Sequence, residues 1–242
     1  MKAIKLTTIC LLAIAAIACQ KQSRPTPLTI EPSSVFLYYD GEQQLTANPA
    51  EGVTYSSEDE YYAEVDANGL VTGNKVGETN IVASSSNGTV TIPVTVVPQY
   101  TLYPELDPIV NASLSEMTSI LGTSFRKSSD DGKNTYTYKE YNNYTTAIVA
   151  TFINGACTEI GAIVPTTYVT KLTKYLKERY TVAGMQNDYF FFLNHDKTVM
   201  IAMAIYNARY MLAIYMPFTG TKSDEIDDIN TILESYRGLE VM

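Results

Sequence analysis

Few side chains in this 242-residue chain could carry chemistry, and their spacing narrows the choice further. His195 is the only histidine, and its setting, Asn194-His195-Asp196-Lys197, predicts a turn between two strands. Cys157 stands in an apolar run with no local base to activate it, which reads as a small core residue. There is no glycine-rich phosphate loop, zinc-ligand spacing or nucleophile elbow, so neither cofactor nor metal is expected and the chain reads as non-catalytic. A carboxylate-based hydrolase stays open as an alternative, because two acids that meet in space leave no mark in sequence. Glu58-Asp59-Glu60, followed by Tyr61-Tyr62, reads as a solvated loop, since calcium requires six or more oxygens from several directions. Among nineteen tyrosines, Tyr136, Tyr138, Tyr141 and Tyr144 gather with Asn142 and Asn143 in one expected hairpin. They would offer flat apolar faces and hydroxyls suited to sugars or protein surfaces. The competing reading is that Tyr136 and Tyr138 share one face of a strand and pack beneath a helix.

The elements that hold these residues must come from an ordinary folded chain, 45% hydrophobic and 18% charged. A formal charge of −9 and a pI near 4.7 argue against a nucleic-acid partner. Lys2 and Lys5 precede an uncharged apolar run, Leu6 to Ala18, of thirteen residues. As a helix it would cover about 20 Å of a hydrocarbon core of about 30 Å, so it reads as a signal peptide, residues 1–18, and not as a membrane span.

The run ends in Ala16-Ile17-Ala18-Cys19, which resembles the lipobox of bacterial lipoproteins, with Ala16 where leucine is commoner. The resemblance implies that Cys19 is acylated and holds the protein on a membrane, with residues 19–27 as a lipidated tether. Cys10 would leave with the signal, so Cys157 would remain alone and no intrachain disulfide could form. Gln20-Lys21-Gln22-Ser23-Arg24 lacks the acidic run that in Bacteroides-type lipoproteins marks export to the cell surface. The resemblance therefore implies an outer-membrane lipoprotein facing the periplasm in preference to the surface.

From Leu28 to Val97, seven short β-branched or alternating runs separated by turn residues predict a β-sandwich, assigned as a domain over 28–98. Asn68-Gly69 predicts a type I′ hairpin between two of them. Val53-Thr54-Tyr55-Ser56-Ser57 and Val65-Asp66-Ala67-Asn68-Gly69-Leu70-Val71-Thr72-Gly73, with Gly77, Ile81 and Val94-Thr95-Val96, resemble the bacterial immunoglobulin-like group 2 domains. Tyr55 replaces the usual tryptophan. Such domains are spacers, adhesion modules or glycan binders, so the resemblance alone does not select a ligand.

Pro98, Pro104 and Pro108 predict a linker over 99–110, after which a second, α+β module occupies 111–242. Leu114, Met117, Ile120 and Leu121 share a helical face behind a Ser113 cap. Three strands follow, then a helix with Leu172, Tyr175 and Leu176 inward and Lys171, Lys174 and Lys177 outward. Three further strands and a last helix, Ser223–Tyr236, complete the module. Thr146–Pro165 aligns without a gap over Thr198–Pro217, matching Ala150 with Ala202, and Asn142 coincides with Asn194. This predicts a duplicated α-βββ unit, a mostly antiparallel sheet with helices on one face, and Ala150 and Ala202 at equivalent depth. The element order is loosely similar to PepSY-like and β-lactamase-inhibitor-like tandem modules, with no shared motif residue. Exchange of tyrosines in the first hairpin for Phe190-Phe191-Phe192 in the second predicts that the first is exposed and the second buried. The whole reads as an envelope protein that binds or scaffolds a glycan or an envelope protein. An apolar-ligand carrier is the further alternative.

Overall fold

A computed structural model describes residues 26–186, 188–218 and 220; the expected signal segment, Cys19 and the expected last helix Ser223–Tyr236 lie outside them. The first domain is an Ig-like sandwich of short strands: β1 (Thr29–Glu31), β2 (Val35–Leu37), β3 (Glu42–Gln44), β4 (Thr46–Asn48), β5 (Thr54–Ser57), β6 (Ala63–Val65), β7 (Leu70–Gly73), β8 (Gly77–Ser85) and β9 (Gly88–Val96). Sheet β2-β9-β8-β5 and sheet β3-β7-β6 enclose the core, while β1 pairs with β4. Alternation on β8 and β9 turns Ile81, Ala83, Ile92, Val94 and Val96 inward against Val35, Leu37 and Val71. Strands β3 and β4 are separated by buried Leu45, where the chain leaves the β7 partner for β1.

Asn68-Gly69 does close the hairpin from β6 to β7, but not as a type I′ turn. Only Gly69 has positive φ, +82°, and Asp66 Oδ1 organises the loop by accepting from the amides of Asn68 and Leu70, each at 2.8 Å. A side chain at Gly69 would also meet the Tyr55 ring at 2.9 Å, so the tyrosine in the tryptophan position is held by a glycine that lies against it.

Among the described residues, the second region is one eight-stranded antiparallel sheet under two helices. Helix α1 (Leu114–Leu121) is followed by β10 (Arg126–Asp130), β11 (Lys133–Lys139), β12 (Ala147–Ile153) and β13 (Ala156–Pro165). Helix α2 (Val169–Lys177) is followed by β14 (Thr181–Gln186), β15 (Tyr189–Leu193), β16 (Val199–Ile205) and β17 (Tyr210–Pro217). The meanders join through their last strands, giving the order β10-β11-β12-β13-β17-β16-β15-β14. The duplication is thus a matter of topology, with one more strand per unit than the sequence reveals. The extra strands are the sheet's edges: β10 is polar and exposed throughout, a composition that discourages edge-to-edge pairing and carries no apolar period to read. Ser113 caps α1 in a capping box with Glu116, whose carboxylate accepts the Ser113 amide at 2.7 Å.

Residue-level equivalence differs from the gapless alignment. Ala150 on β12 pairs with Ile160 and faces the helices, whereas Ala202 on β16 pairs with Ile214 and faces the opposite side. A slip by an odd number of residues reverses every side chain of a strand, and β12 and β16 are apolar on both faces, so hydrophobicity did not fix the register. The turns differ too: Asn154-Gly155 joins β12 to β13, while the second hairpin runs through the longer Tyr206–Arg209 connection.

Residues 99–110, expected as a linker, belong to the second region's core. Leu102, Tyr103, Leu106, Ile109 and Val110 are buried with Met117 and Leu121 of α1, Leu172, Tyr175 and Leu176 of α2, and the helix side of the sheet. The prolines shape this segment without freeing it from the fold.

Candidate functional site

A gathering of ionisable and aromatic side chains lies where the sandwich meets the second region. Glu178 and Arg179, just beyond α2, are buried and hydrogen-bonded to each other. The Glu178 carboxylate also accepts from the amides of Gln99 and Tyr100 at 3.0 and 3.1 Å, and its carbonyl accepts from Val76 of the sandwich at 2.7 Å. Arg179 Nε reaches Glu105 at 3.2 Å, and its guanidinium lies over the Tyr175 ring. The Tyr61 hydroxyl donates to the Arg179 carbonyl at 2.7 Å, and Tyr180 donates to Asp107 at 2.7 Å. His195 lies in the turn between β15 and β16. Its ring rests on Tyr61, with centroids 4.3 Å apart, and its Nε2 is 3.3 Å from Asp59 Oδ2.

The acidic, aromatic loop Glu58–Tyr62 is therefore a docking loop and not merely solvated. Close approach requires glycine at 77, φ +148°, where a Cβ would stand 2.3 Å from the Tyr62 ring.

Burial raises the carboxyls of Glu105 and Asp107 above the ordinary range, opposed by Arg179 in the first case and by the Tyr180 hydroxyl in the second. Two raised carboxyls beside an arginine and a histidine are what a hydrolytic site would need. The space among them is about 70 Å³, far below the roughly 300–1,000 Å³ of ordinary ligand sites. Arg179, Tyr61, Tyr180 and His195 are spent on one another and on the two chain segments they join. This arrangement is a polar lock between domains. Its parts come from segments far apart in the chain, and the only local sign was a charged pair ending an amphipathic helix.

The expected tyrosine surface is divided. Tyr136 and Tyr138 are 5% and 3% exposed, packed under Phe125 in edge-to-face contacts with centroids 5.0 and 5.6 Å apart. The Tyr138 hydroxyl donates to the Gly122 carbonyl at 2.8 Å. Tyr141 is half-buried beside Tyr138, and Tyr144 lies apart, against Tyr168 with Lys171 Nζ 4.0 Å above its ring. Asn142 organises the turn: Oδ1 accepts from Tyr144 and Thr145, and Nδ2 donates to the Leu102 carbonyl at 2.7 Å. Asn194 does the same local work in the equivalent turn, accepting from Thr198 and Val199. Asn143 is exposed.

Exposure of the two aromatic hairpins is the reverse of expectation at its key position: Phe190 is 44% exposed, while Phe191 and Phe192 are buried on opposite faces. Tyrosine or phenylalanine was a poor guide because helix coverage, invisible locally, decides which strand is sealed. Cys157 is a buried core thiol, pushed up to about 12 by burial. Among the described residues no group of three or more His, Cys, Asp or Glu is placed to hold a metal ion, and no helix is long and apolar enough to cross a membrane.

A larger hollow lies between α2 and the outer strands of the second meander. It encloses about 600 Å³ and is lined on the sheet by Met185, Phe190, Phe192, Met203, Ile205 and Met211. Lys177 stands at its rim and also lines an adjoining polar cleft of about 380 Å³, with Tyr39, Tyr100 and Lys174.

Residues 25–96 match the family described as bacterial Ig-like domain (group 2), in agreement with the sandwich. Comparison with curated proteins gives no match. Among solved structures, the chain is similar to intimin in an intimin–Tir90 complex, at 25% identity over 39% of this chain and 57% of that one, with a TM-score of 0.25. It is also similar to an EHEC O157:H7 intimin mutant, at 17% identity over 55% and 90% of the two chains, TM-score 0.25. Domains 5–6 of the S-layer protein SbsC give 13% identity, 81% and 86% coverage and a TM-score of 0.25. The chain thus spans little more than half of the first of these, and at such scores the likeness carries no argument about the whole molecule.

Proposed function

We propose that this is a lipid-anchored protein of the bacterial envelope that binds its ligand without transforming it. In this reading residues 1–18 are a signal peptide, Cys19 is acylated, 19–27 is a tether, and the Ig-like domain over 28–98 is a rigid bracket for the region beyond. The observation that carries the reading is the polar lock: Glu178, Arg179 and Tyr61 fix the sandwich to the second region and leave the α2 hollow open. Gln20-Lys21-Gln22-Ser23-Arg24 after Cys19, basic where surface-exported lipoproteins are acidic, favours the periplasmic face over the cell surface. A formal charge of −9 speaks against nucleic acid as the partner.

The partner class is a glycan or an envelope protein, for which Tyr141, Tyr144 and Asn143 remain accessible on the first hairpin. A second reading, carriage of an apolar ligand, is favoured by the hollow beside α2. Replacing Cys19 with serine tests the anchor: the variant should leave the membrane fraction and lose fatty-acid labelling. Labelling that persisted in the variant would overturn it.

A further inference from the structure

The two halves of the sheet are covered unequally. In the first half, Phe125 and Tyr141 close over Tyr136 and Tyr138 at the outer margin of the helix face. In the second, no described residue plays that part. Val182, Met185, Phe190 and Ile205, all on the helix face, are 51%, 65%, 44% and 63% exposed. A cluster of exposed apolar side chains around a hollow of ligand size is costly in water unless something occupies it. Met185, Met203 and Met211 give that hollow an adaptable lining, suited to a flexible chain more than to a rigid ring.

Charge indicates the other end of the occupant. Helix α2 carries Lys171, Lys174 and Lys177 and no acid, on a protein whose net charge is negative. Lys171 and Lys174 lie over Tyr144 and Tyr100, whereas Lys177 has no ion-pair partner among the described residues. Lys177 stands between the apolar hollow and the polar cleft and lines both. Glu178 also borders the cleft, but its carboxylate is committed to Arg179 and to the amides of Gln99 and Tyr100. The other acids are Asp40 in the cleft, whose carboxylate is hydrogen-bonded to Tyr39 and lies near Lys75, and Asp188 in the lining of the hollow.

We propose that hollow and cleft form one site for an anionic amphiphile, its apolar chain lying over Phe190 and Ile205 and its head held by Lys177 and Lys174. Tyr100, Gln99 and the hydrogen-bonded pair Tyr39 and Asp40 line the head's side of the site, a polar wall that suits a hydroxylated head. This inference rests on the carrier reading and names its ligand class.

The test uses the chain from Gln20 to Met242, which keeps every described residue, purified without detergent. It is titrated with a dansylated long-chain fatty acid and with the uncharged methyl ester of the same probe. Both should give saturable, blue-shifted emission. Phe190→Glu and Ile205→Glu, at exposed positions, should weaken both probes by at least about tenfold while leaving the melting curve in place. Lys177→Ala should weaken the acid several-fold and leave the ester unchanged, and Phe36→Glu, on the exposed surface of the sandwich, should alter neither. Absence of saturable binding, or binding indifferent to Phe190→Glu and Ile205→Glu, would overturn the site. Equal loss of acid and ester with Lys177→Ala would overturn the placement of the head. A protein that fails these titrations yet captures envelope glycan or protein from another surface loses this site and keeps the broader binding reading.

Discussion

The Tyr61 hydroxyl on the sandwich donates to the Arg179 carbonyl at 2.7 Å across 118 residues of chain, and the side chain of the same arginine is tied to Glu178 and Glu105. One residue therefore holds both domains, by its backbone to one and by its guanidinium to the other. Glu178→Leu would leave Arg179 short of its closest partner and the amides of Gln99 and Tyr100 without acceptors. A loss of about 3–5 kcal/mol is expected in urea unfolding of the full chain. Glu178→Leu with Arg179→Leu should recover part of it, because no uncompensated charge is then buried. A single variant as stable as the parent would refute the lock.

Asp107 gives the lock a pH dependence. Burial raises its folded pKa above the unfolded value of about 4, so the folded state holds the proton more tightly. The stabilising contribution is complete below the unfolded pKa and is lost as pH rises through the folded one. Asp107→Asn removes this term and keeps an acceptor for Tyr180. The variant should therefore gain stability relative to the parent as pH rises from about 4 toward neutrality. Melting curves of both proteins over that range provide the check, and a difference constant with pH would count against it.

The first-hairpin tyrosines should report on stability more than on ligand. Tyr138→Phe removes the hydroxyl bonded to Gly122 and should cost about 0.5–1.5 kcal/mol. Tyr136→Ala empties a buried aromatic site and should cost about 3–5 kcal/mol. Denaturant titration distinguishes this from a binding role, in which stability would be unchanged and ligand capture lost.

Cys157 should behave as a core atom. With its pKa pushed up to about 12 and its Sγ donating to the Glu159 carbonyl, little thiolate forms at pH 8. Iodoacetamide should label the folded protein far more slowly than the same protein in denaturant. Equal rates would place the thiol at the surface.

How much of this was written in the sequence depended on what fixes each feature. The sandwich was legible because its strands alternate and its turn residues recur at regular spacing. The longer strands of the second region were legible as elements, since Ala147–Ile153 and Val199–Ile205 are unmistakably apolar. Their facing was not: with both sides of a strand apolar, nothing in composition tells Ala150 from Ala202. Strand β10 carries no signal in the sequence because an exposed polar edge has no hydrophobic period. The hollow beside α2 could not be foreseen from Phe190, whose exposure depends on how far a nine-residue helix extends over the sheet. The lock was hidden for a similar reason, since Tyr61 meets Arg179, and Asp59 meets His195, only after both domains have formed.

The junction of β13 with β17 has a consequence for how the protein is made. Every other neighbouring pair in the eight-stranded sheet joins consecutive strands, and such hairpins close in microseconds. The central pair must bring together residues from 45 apart, Pro165 with Tyr210, to 55 apart, Ile160 with Tyr215. Loop closure over that distance makes docking of the two meanders the late, slow step. During synthesis the first meander is complete while β13, with Ile160, Ala162, Ile163 and Val164, still waits for its partner. Until β17 emerges, that apolar strand is a free edge, and it is the place where a nascent or refolding chain is most exposed to pairing with the wrong molecule.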